Sequence, residues 1–216
     1  MSFDFAFAWE ILPDLLRGAA VTLEVMAAGF LLALAGGLAL ALGRRSPQTV
    51  TRLACAAFIE FMRNTPLLVQ LYFLFFVLPL GGITLPPITT GILALGLNYS
   101  AFLSEVYRSG IESVPRGQWE AARALDLPAR DTWRRIVLPQ AIPPMLPVLG
   151  NYLIGMFKDT PLLAVITVPE MMQAAKGVAG MTYRYNEPYT LLAALFLALS
   201  LPASLLFRTL ETRLRG

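Results

Sequence analysis

Ionisable side chains interrupt several apolar stretches of this sequence; they are Arg63, Glu105, Lys158 and Asp159. An unpaired charge in hydrocarbon costs several kcal/mol, so such a residue in a membrane protein is by default a candidate for a solute site. Asp159 precedes Thr160 and Pro161, and the proline forces a helix to loosen there. A carboxylate at this point could bind the ammonium group of a solute while freed backbone groups bind its carboxylate. We therefore predict a substrate site that includes the four ionisable residues and Thr160.

Plain structural explanations exist for several of these side chains. Lys158 could extend to the lipid headgroups at the membrane surface. Glu105 and Arg108 lie three residues apart on one helix and could pair with each other. Asn98 and Tyr99 offer neutral hydrogen-bonding groups at mid-depth of the same helix, and we include both in the predicted substrate site, although they could equally pack between helices.

The elements that position these residues are apolar segments long enough to cross a membrane. Hydrophobic residues make up 56% of the 216 residues and charged residues 14%, which is typical of a polytopic membrane protein. Since one spanning helix needs about 20 residues, we predict an all-α membrane protein with five transmembrane helices in a single domain, residues 1–216. The predicted spans are 19–42, 53–80, 87–109, 139–166 and 188–209.

The distribution of basic residues predicts the orientation of these spans. Most of the 17 Lys and Arg residues fall in three places, namely the first connection (44–52), the third connection (108–135) and the C-terminal end, with Arg208, Arg213 and Arg215. Because loops rich in Lys and Arg stay cytoplasmic, we expect the N-terminus outside and the C-terminus inside. The N-terminal stretch has no positively charged region, so we expect no cleaved signal peptide. The net charge of +3 follows from this topology and does not indicate nucleic-acid binding.

One charged segment, residues 112–138, separates the third and fourth predicted spans, and we call it the coupling segment. Its first part, 118–125, consists of good helix formers around Glu120. Pro128 pushes Leu127 out of the helical region and can open a second helix over 129–136. Two short helices would then form a cytoplasmic protrusion, although such a pair could also lie on lipid headgroups without a partner.

This segment resembles the EAA loop of the membrane subunits of bacterial ABC importers. The matching residues are Glu120, Ala121, Ala122, Ile136, Leu138 and Pro139. Three further stretches resemble the polar amino-acid uptake permeases of the histidine and glutamine type; they are RNTPLLVQLYFLFFVLP (63–79), SEVYRSGIESVPRGQWEAA (104–122) and KDTPLLAVITVPEMMQAA (158–175). The resemblance extends from about residue 13 to the C-terminus.

The resemblance implies a type I ABC importer permease fold in the bacterial cytoplasmic (inner) membrane. Two such permeases, identical or sister chains, would form the pathway, with two ATP-binding subunits beneath them and an external solute-binding protein. This chain lacks the GxxxxGK[ST] phosphate loop and so cannot be the ATPase itself; ATP and Mg²⁺ would bind to the partner ATPase. No cofactor is expected in this chain. Glu120 would fix the register of a helix in a groove of the ATPase, and Ala121 and Ala122 would allow close approach. Arg63 lies in a segment where Pro66 would kink the second span.

Asp126 occupies a position where the family usually has Gly. A turn between the two short helices favours a left-handed backbone, which Asp tolerates better than most residues. Alternatively, the Asp126 carboxylate could cap the second helix. The two hypotheses stay open at this level.

The nature of the solute also stays open. The resemblance implies a polar amino acid, or an opine or ectoine-like compatible solute. An anionic solute would favour Arg63 or Lys158, whereas a cationic one would need Asp159 and Glu105 unpaired. An ATP-independent channel or carrier is a further alternative, while an intramembrane enzyme has little support, since the chain has no His.

The external segment 168–188 has few long apolar runs. It is predicted to be an outer gate or a docking surface for the binding protein, with a solvated loop as the alternative. The aromatic residues of 181–190 are also typical of a membrane-interface belt.

Overall fold

A computed structural model describes residues 3–215 of the chain, which are helical with no strand in that range, as predicted. The helices are α1 (Phe5–Gly43), α2 (Thr49–Asn64), α3 (Leu67–Tyr72), α4 (Pro87–Glu112), α5 (Arg116–Ala124), α6 (Ala129–Asp131), α7 (Leu138–Asp159), α8 (Met171–Thr182) and α9 (Asn186–Arg215). The side chains of Arg208, Arg213 and Arg215, which contribute to the predicted orientation, lie outside the described residues.

By length and composition, two helices of the described chain could each cross a membrane, α1 and residues 186–207 of α9. The number rises to four if each of two bent helix pairs is one span; the pairs are Thr49–Asn64 with Leu67–Gly81, and Ala129–Ile166 with Met171–Thr182. Helix α4 covers the third predicted span with 26 residues but contains Glu105, Arg108 and Glu112 in its last turns. The structure therefore supports a membrane-spanning helical fold without fixing the number of spans at five.

Helix α1 begins well before residue 19, where the sequence pattern placed the first span. Asp4 caps it, because its Oδ1 accepts hydrogen bonds from the amides of Ala6 (3.0 Å) and Phe7 (3.1 Å). Polar residues of the first turns, such as Glu10 and Asp14, are exposed, so they end the apolar run without ending the helix. The apolar run therefore underestimated this helix by more than a dozen residues.

Small residues let α1 and α4 pack closely along their length. A β-carbon at Gly37 would lie 2.9 Å from the Cβ of Leu103 and 3.1 Å from the carbonyl oxygen of Ser100. A β-carbon at Gly36 would lie 3.0 Å from the Cβ of Ser100. These glycines of the first predicted span therefore serve close helix packing.

The second predicted span, 53–80, is not one straight helix. Helix α2 and the helical segment Leu67–Gly81 meet at 106°, and Thr65 between them has an extended backbone (φ −110°, ψ 134°). Pro66 explains the break, since it lacks an amide hydrogen and disfavours a helical conformation for the residue before it. Beyond α3 the chain continues through a π-helical turn, Phe73–Val77, and a 3₁₀ turn, Leu78–Gly81.

The fourth predicted span also ends in irregular helix. After Asp159 the chain tightens into a 3₁₀ segment, Thr160–Ile166, and then bends by 46° into α8. The alternative that 168–188 is a solvated loop is wrong, because α8 lies in this segment and is packed against the protein. Its buried residues are Met171, Ala175, Val178 and Ala179. A β-carbon at Gly18 of α1 would lie 2.9 Å from the Cα of Met171, so the two helix backbones are in close contact.

The coupling segment forms one clear helix, α5, and a second that joins the following span. Residues 129–131 are helical and continue through a π-helical turn, Thr132–Val137, directly into α7. The predicted end of the second helix at residue 136 is wrong, because helical backbone continues past Leu138 and Pro139 into α7. Trp119 and Trp133 pack edge to face between the two parts, with ring centroids 5.3 Å apart.

Candidate functional site

A cavity of about 490 Å³ lies where the break of the second span faces α4 and α7. Three predicted site residues, Asn98, Tyr99 and Asp159, line this cavity together. The other lining residues are Thr65, Pro66, Leu67, Phe102, Asn151, Tyr152 and Gly155. The cavity therefore has two walls of regular helix and a third made by broken backbone.

Asp159 provides the one carboxylate among the described lining residues, and no Lys or Arg lines the cavity with it. Its Oδ2 accepts a hydrogen bond of 2.7 Å from the hydroxyl of Tyr99. Tyr152 packs edge-on to the Tyr99 ring at 6.2 Å and lies 5.9 Å from the ring of Phe102. An anionic group beside aromatic faces is suited to a cationic group of a solute.

Asn98 is almost fully buried at the back of the cavity. Its Nδ2 donates to the Oε1 of Gln70 (3.1 Å) and to the carbonyl oxygen of Met62 (3.3 Å). The side chain is therefore oriented by the break between α2 and α3.

Glu105 and Arg63 lie beside this cavity rather than in it. Glu105 accepts a 2.7 Å bond from the Nε of Arg108 and also pairs with Arg44, so the predicted pairing with Arg108 is confirmed. Arg63 lies 4.0 Å from the same carboxylate, and its guanidinium carbon is 5.8 Å from the ring centroid of Phe102. Glu105 thus joins the ends of α1, α2 and α4 in one ionic network.

Lys158 and Thr160 do not line this cavity. Lys158 is exposed and lines a different cavity of about 450 Å³ between α7 and α9. Thr160 is fully buried, and its hydroxyl donates to the carbonyl oxygen of Phe157 at 2.7 Å. Of the two adjacent charges at 158 and 159, the structure places only the carboxylate in the main cavity.

Sequence reasoning missed Asn151, Tyr152 and the buried Gln70. The signal for the first was available in the spacing, because Asn151, Gly155 and Asp159 lie four residues apart and share one face of a helix. Gln70 is likewise a polar residue in an apolar segment, but its role depends on the break at Pro66, which the sequence indicates only as a kink.

Most of the residues predicted to contact an ATPase are exposed on the coupling segment or at the start of α7, and one is buried. Glu120 and Ala121 are exposed, as are Leu138 and Pro139, and Leu125 is 72% exposed. Ala122 is 1% exposed, so it packs inward rather than towards a partner.

Asp126 lies in the turn of the coupling segment with a positive φ of 49°. This confirms the left-handed conformation. The capping alternative is wrong, because Pro128 occupies the N-cap position of α6 and no side chain caps it.

An ionic cluster lies at the start of α1, at the opposite end from Arg44. Arg184 binds the carboxylates of Asp4 (3.1 Å) and Glu187 (2.9 Å), and its guanidinium lies 4.1 Å from the centroid of the Phe7 ring. The amide of Phe7 and then the guanidinium of Arg184 lower the pKa of Asp4. The cluster ties the first helix to the connection between α8 and α9.

Comparisons with known proteins agree with this architecture. Residues 10–216 match the family model described as binding-protein-dependent transport system inner membrane component. The chain is 45% identical to a probable amino-acid ABC transporter permease, y4tG, of Sinorhizobium fredii, over 98% of this chain and 91% of that protein. It is 33% identical to the glutamine transport system permease GlnP of Escherichia coli K12, over 100% of this chain and 99% of that protein. The crystal structure of an amino acid ABC transporter with histidines superposes with a TM-score of 0.92 at 35% identity, covering 99% of this chain and 100% of that chain.

Proposed function

The chain belongs to the family of binding-protein-dependent transport system inner membrane components, and we propose that it is the permease subunit of an ATP-driven importer for a polar amino acid. The named relatives support the amino-acid substrate, since they are amino-acid and glutamine permeases. Transport, rather than catalysis by this chain, is its function. An opine or an ectoine-like compatible solute is the second candidate, because such solutes have similar charged groups.

The observation that supports this function best is the Asp159 carboxylate, the one acidic group among the described residues that line the main cavity. Asp159 lies at the end of α7, where the chain leaves regular helix, and faces the broken backbone at Thr65 and Pro66 across the cavity. Broken helices at the depth of a membrane are tolerated where they line a solute cavity. In our proposal the ammonium group of the solute binds to Asp159, with Tyr99 and Asn98 beside it.

The finer topology is also a proposal. We assign five spans within one domain over residues 1–216, with α4 as the third, the N-terminus outside and the C-terminus in the cytoplasm. The basic residues of the first and third connections support this orientation. In this arrangement Glu105 and its arginines lie near the cytoplasmic end of the bundle, and the Asp4 cluster near the outer end.

The proposed partners follow from the exposed coupling segment. Glu120 and Ala121 face outward beside the exposed Leu125, which gives an apolar and charged surface suited to a groove on an ATPase. Two ATPase subunits, which would bind ATP and Mg²⁺, a second permease and an external binding protein complete the importer. This chain needs no cofactor of its own in the proposed mechanism.

The test is ATP hydrolysis by the permease purified in nanodiscs with its ATPase and binding-protein partners. We expect one polar amino acid, presented with the binding protein, to stimulate hydrolysis, and Glu120→Lys to abolish the stimulation. Glu10→Lys is the matched control, since Glu10 is an exposed acid on α1 far from the coupling segment. Stimulation by an opine or ectoine alone would change the substrate class. Solute uptake without any ATPase would contradict the importer and favour a channel or carrier.

A further inference from the structure

The break between α2 and α3 leaves backbone carbonyls that a continuous helix would satisfy. The carbonyl of Met62 would normally accept from the amide of residue 66, but Pro66 has no amide hydrogen. The carbonyl of Phe61 would accept from the amide of Thr65, and here the Thr65 hydroxyl replaces it at 2.8 Å. Unsatisfied carbonyls in a membrane are costly, so the remaining groups need side-chain donors.

Gln70, one turn into α3 and only 7% exposed, supplies those donors. Its Nε2 lies 3.0 Å from the carbonyl oxygen of Met62, 3.1 Å from that of Thr65 and 2.7 Å from the Thr65 hydroxyl. The glutamine side chain thus bonds back across the break and holds the two helices at their angle.

These contacts also determine which way two amide groups face. A carbonyl oxygen can only accept, so the atom of Gln70 that faces the break must be its nitrogen. The Gln70 Oε1 is then left to accept from Asn98, and its 3.1 Å partner must be the Asn98 Nδ2. The second contact of that nitrogen, 3.3 Å from the Met62 carbonyl oxygen, requires the same orientation.

The consequence for the cavity is a defined polarity. Both described hydrogen bonds of Asn98 use its nitrogen, which leaves the Oδ1 of this cavity-lining residue as an acceptor. The Asp159 carboxylate is a second acceptor on the facing helix. An ammonium group has three N–H donors and no acceptor, so a pair of acceptors matches it, whereas a rotated Asn98 amide would present donors instead.

We propose that Gln70 is a positioning residue of the solute site: it fixes the Asn98 amide so that Asn98 and Asp159 together form an acceptor site for the ammonium group of the solute. The inference rests on the proposed function, because it assumes that the cavity holds the transported amino acid. The inference adds Gln70, which does not line the cavity and affects selectivity through Asn98.

The experiment is equilibrium binding to the purified permease and ATPase complex in nanodiscs, without the external binding protein, whose own affinity would mask the site. The probes are the amino acid that stimulates ATP hydrolysis and its analogue that lacks the amino group. Gln70→Met keeps a similar side-chain volume and removes every side-chain hydrogen bond of this residue. We expect it to raise the Kd of the amino acid about tenfold or more, as expected for a hydrogen bond to a charged group, and to reduce discrimination against the analogue.

Two further variants separate positioning from stability. Gln140→Met is the matched control, since Gln140 is an exposed glutamine whose Nε2 donates to the carbonyl of Ile136 at 2.7 Å. It should leave the Kd unchanged. Gln70→Glu keeps an acceptor for the Asn98 nitrogen but removes donation to the break, because an ionised carboxylate only accepts. We therefore expect this variant to lower thermal stability while retaining discrimination.

The outcomes are distinct. Wild-type discrimination in a folded Gln70→Met complex would overturn the inference while leaving the proposed function intact. If Gln70→Met gives no folded complex, Gln70→Glu decides, and loss of discrimination in that variant would overturn the inference. A wild-type complex that binds no amino acid would overturn the proposed function and the inference with it.

Discussion

Replacement of Asp159 by Asn tests the chemistry of the cavity with the smallest change of shape. The Asn oxygen can still accept the 2.7 Å hydrogen bond from the Tyr99 hydroxyl. The cavity keeps its volume of about 490 Å³ but loses its one carboxylate among the described lining residues. Any loss of affinity therefore reports on the charge and not on packing.

The magnitude follows from the interaction that is removed. A hydrogen bond to a charged group contributes about 1.5 to 3 kcal/mol. Since about 1.4 kcal/mol corresponds to a tenfold change in Kd, we expect Asp159→Asn to weaken amino-acid binding by about 10- to 150-fold. The analogue without an amino group should lose little affinity or gain some, because it never interacts favourably with the carboxylate.

The assay is again equilibrium binding to the permease and ATPase complex without the external binding protein. Lys158→Gln is the matched control, because Lys158 is the adjacent residue, is also charged and does not line the main cavity, although its own cavity shares Asn151 and Gly155 with it. It should change the Kd by less than about threefold, the effect of an exposed charge. Equal losses in both variants, or none in Asp159→Asn, would refute the assignment of the ammonium group to Asp159.

Three further predictions concern stability and use thermal unfolding in detergent as the measurement. Gly18→Ala should destabilise the chain by about 1–3 kcal/mol, because its β-carbon would meet helix backbone 2.9 Å away. Gly177→Ala is the control, since a β-carbon there would meet no atom within 4 Å, and it should stabilise α8 by about 0.5–1 kcal/mol. Equal effects of the two variants would contradict the close packing of α1 and α8. Asp126→Gly should stabilise the turn by about 0.5–1 kcal/mol, since Gly adopts the left-handed conformation without strain; a loss would show that the Asp side chain has a role there. The pKa of Asp4 is lowered in the folded chain. The contribution of its charge to folding stability is therefore complete above the unfolded pKa of about 3.9 and is lost as the pH falls through the lower folded value. Asp4→Asn should reduce the fall in melting temperature between pH 5 and pH 2, about the range in which carboxylates titrate, and an unchanged pH profile would contradict this.

The sequence predicted most of the helices because membrane spans leave a simple signal, a long apolar run. The prediction failed where a helix continues beyond the apolar run or breaks inside it. Helix α1 extends back through exposed Glu10 and Asp14, and only the cap at Asp4 marks its start. The second span breaks inside an apolar run, although Pro66 was visible as a kink, and the size of a 106° bend depends on tertiary contacts.

The site was predicted in part for the same kind of reason. Asn98, Tyr99 and Asp159 could be selected as polar groups in apolar segments, and they line one cavity. The full set of ion pairs of Glu105 could not be predicted from local spacing, since its partner Arg44 lies at a helix end 61 residues away in the sequence. Lys158 and Asp159 are adjacent in sequence but line different cavities, because neighbouring residues on a helix point about 100° apart.

The chain path relates the coupling segment directly to the cavity. That segment joins α4 to α7, and these two helices supply Asn98 and Tyr99 on one side and Asn151 and Asp159 on the other. The third wall, at Thr65, belongs to a part of the chain that the segment does not join. A shift of the coupling segment by an ATPase would therefore move two walls of the cavity against the third, which is a rigid-body change of the kind that opens or closes a site. Because Gln70 bonds the third wall to Asn98, we expect the hydrogen bond between these two amides to be among the first contacts that such a shift changes.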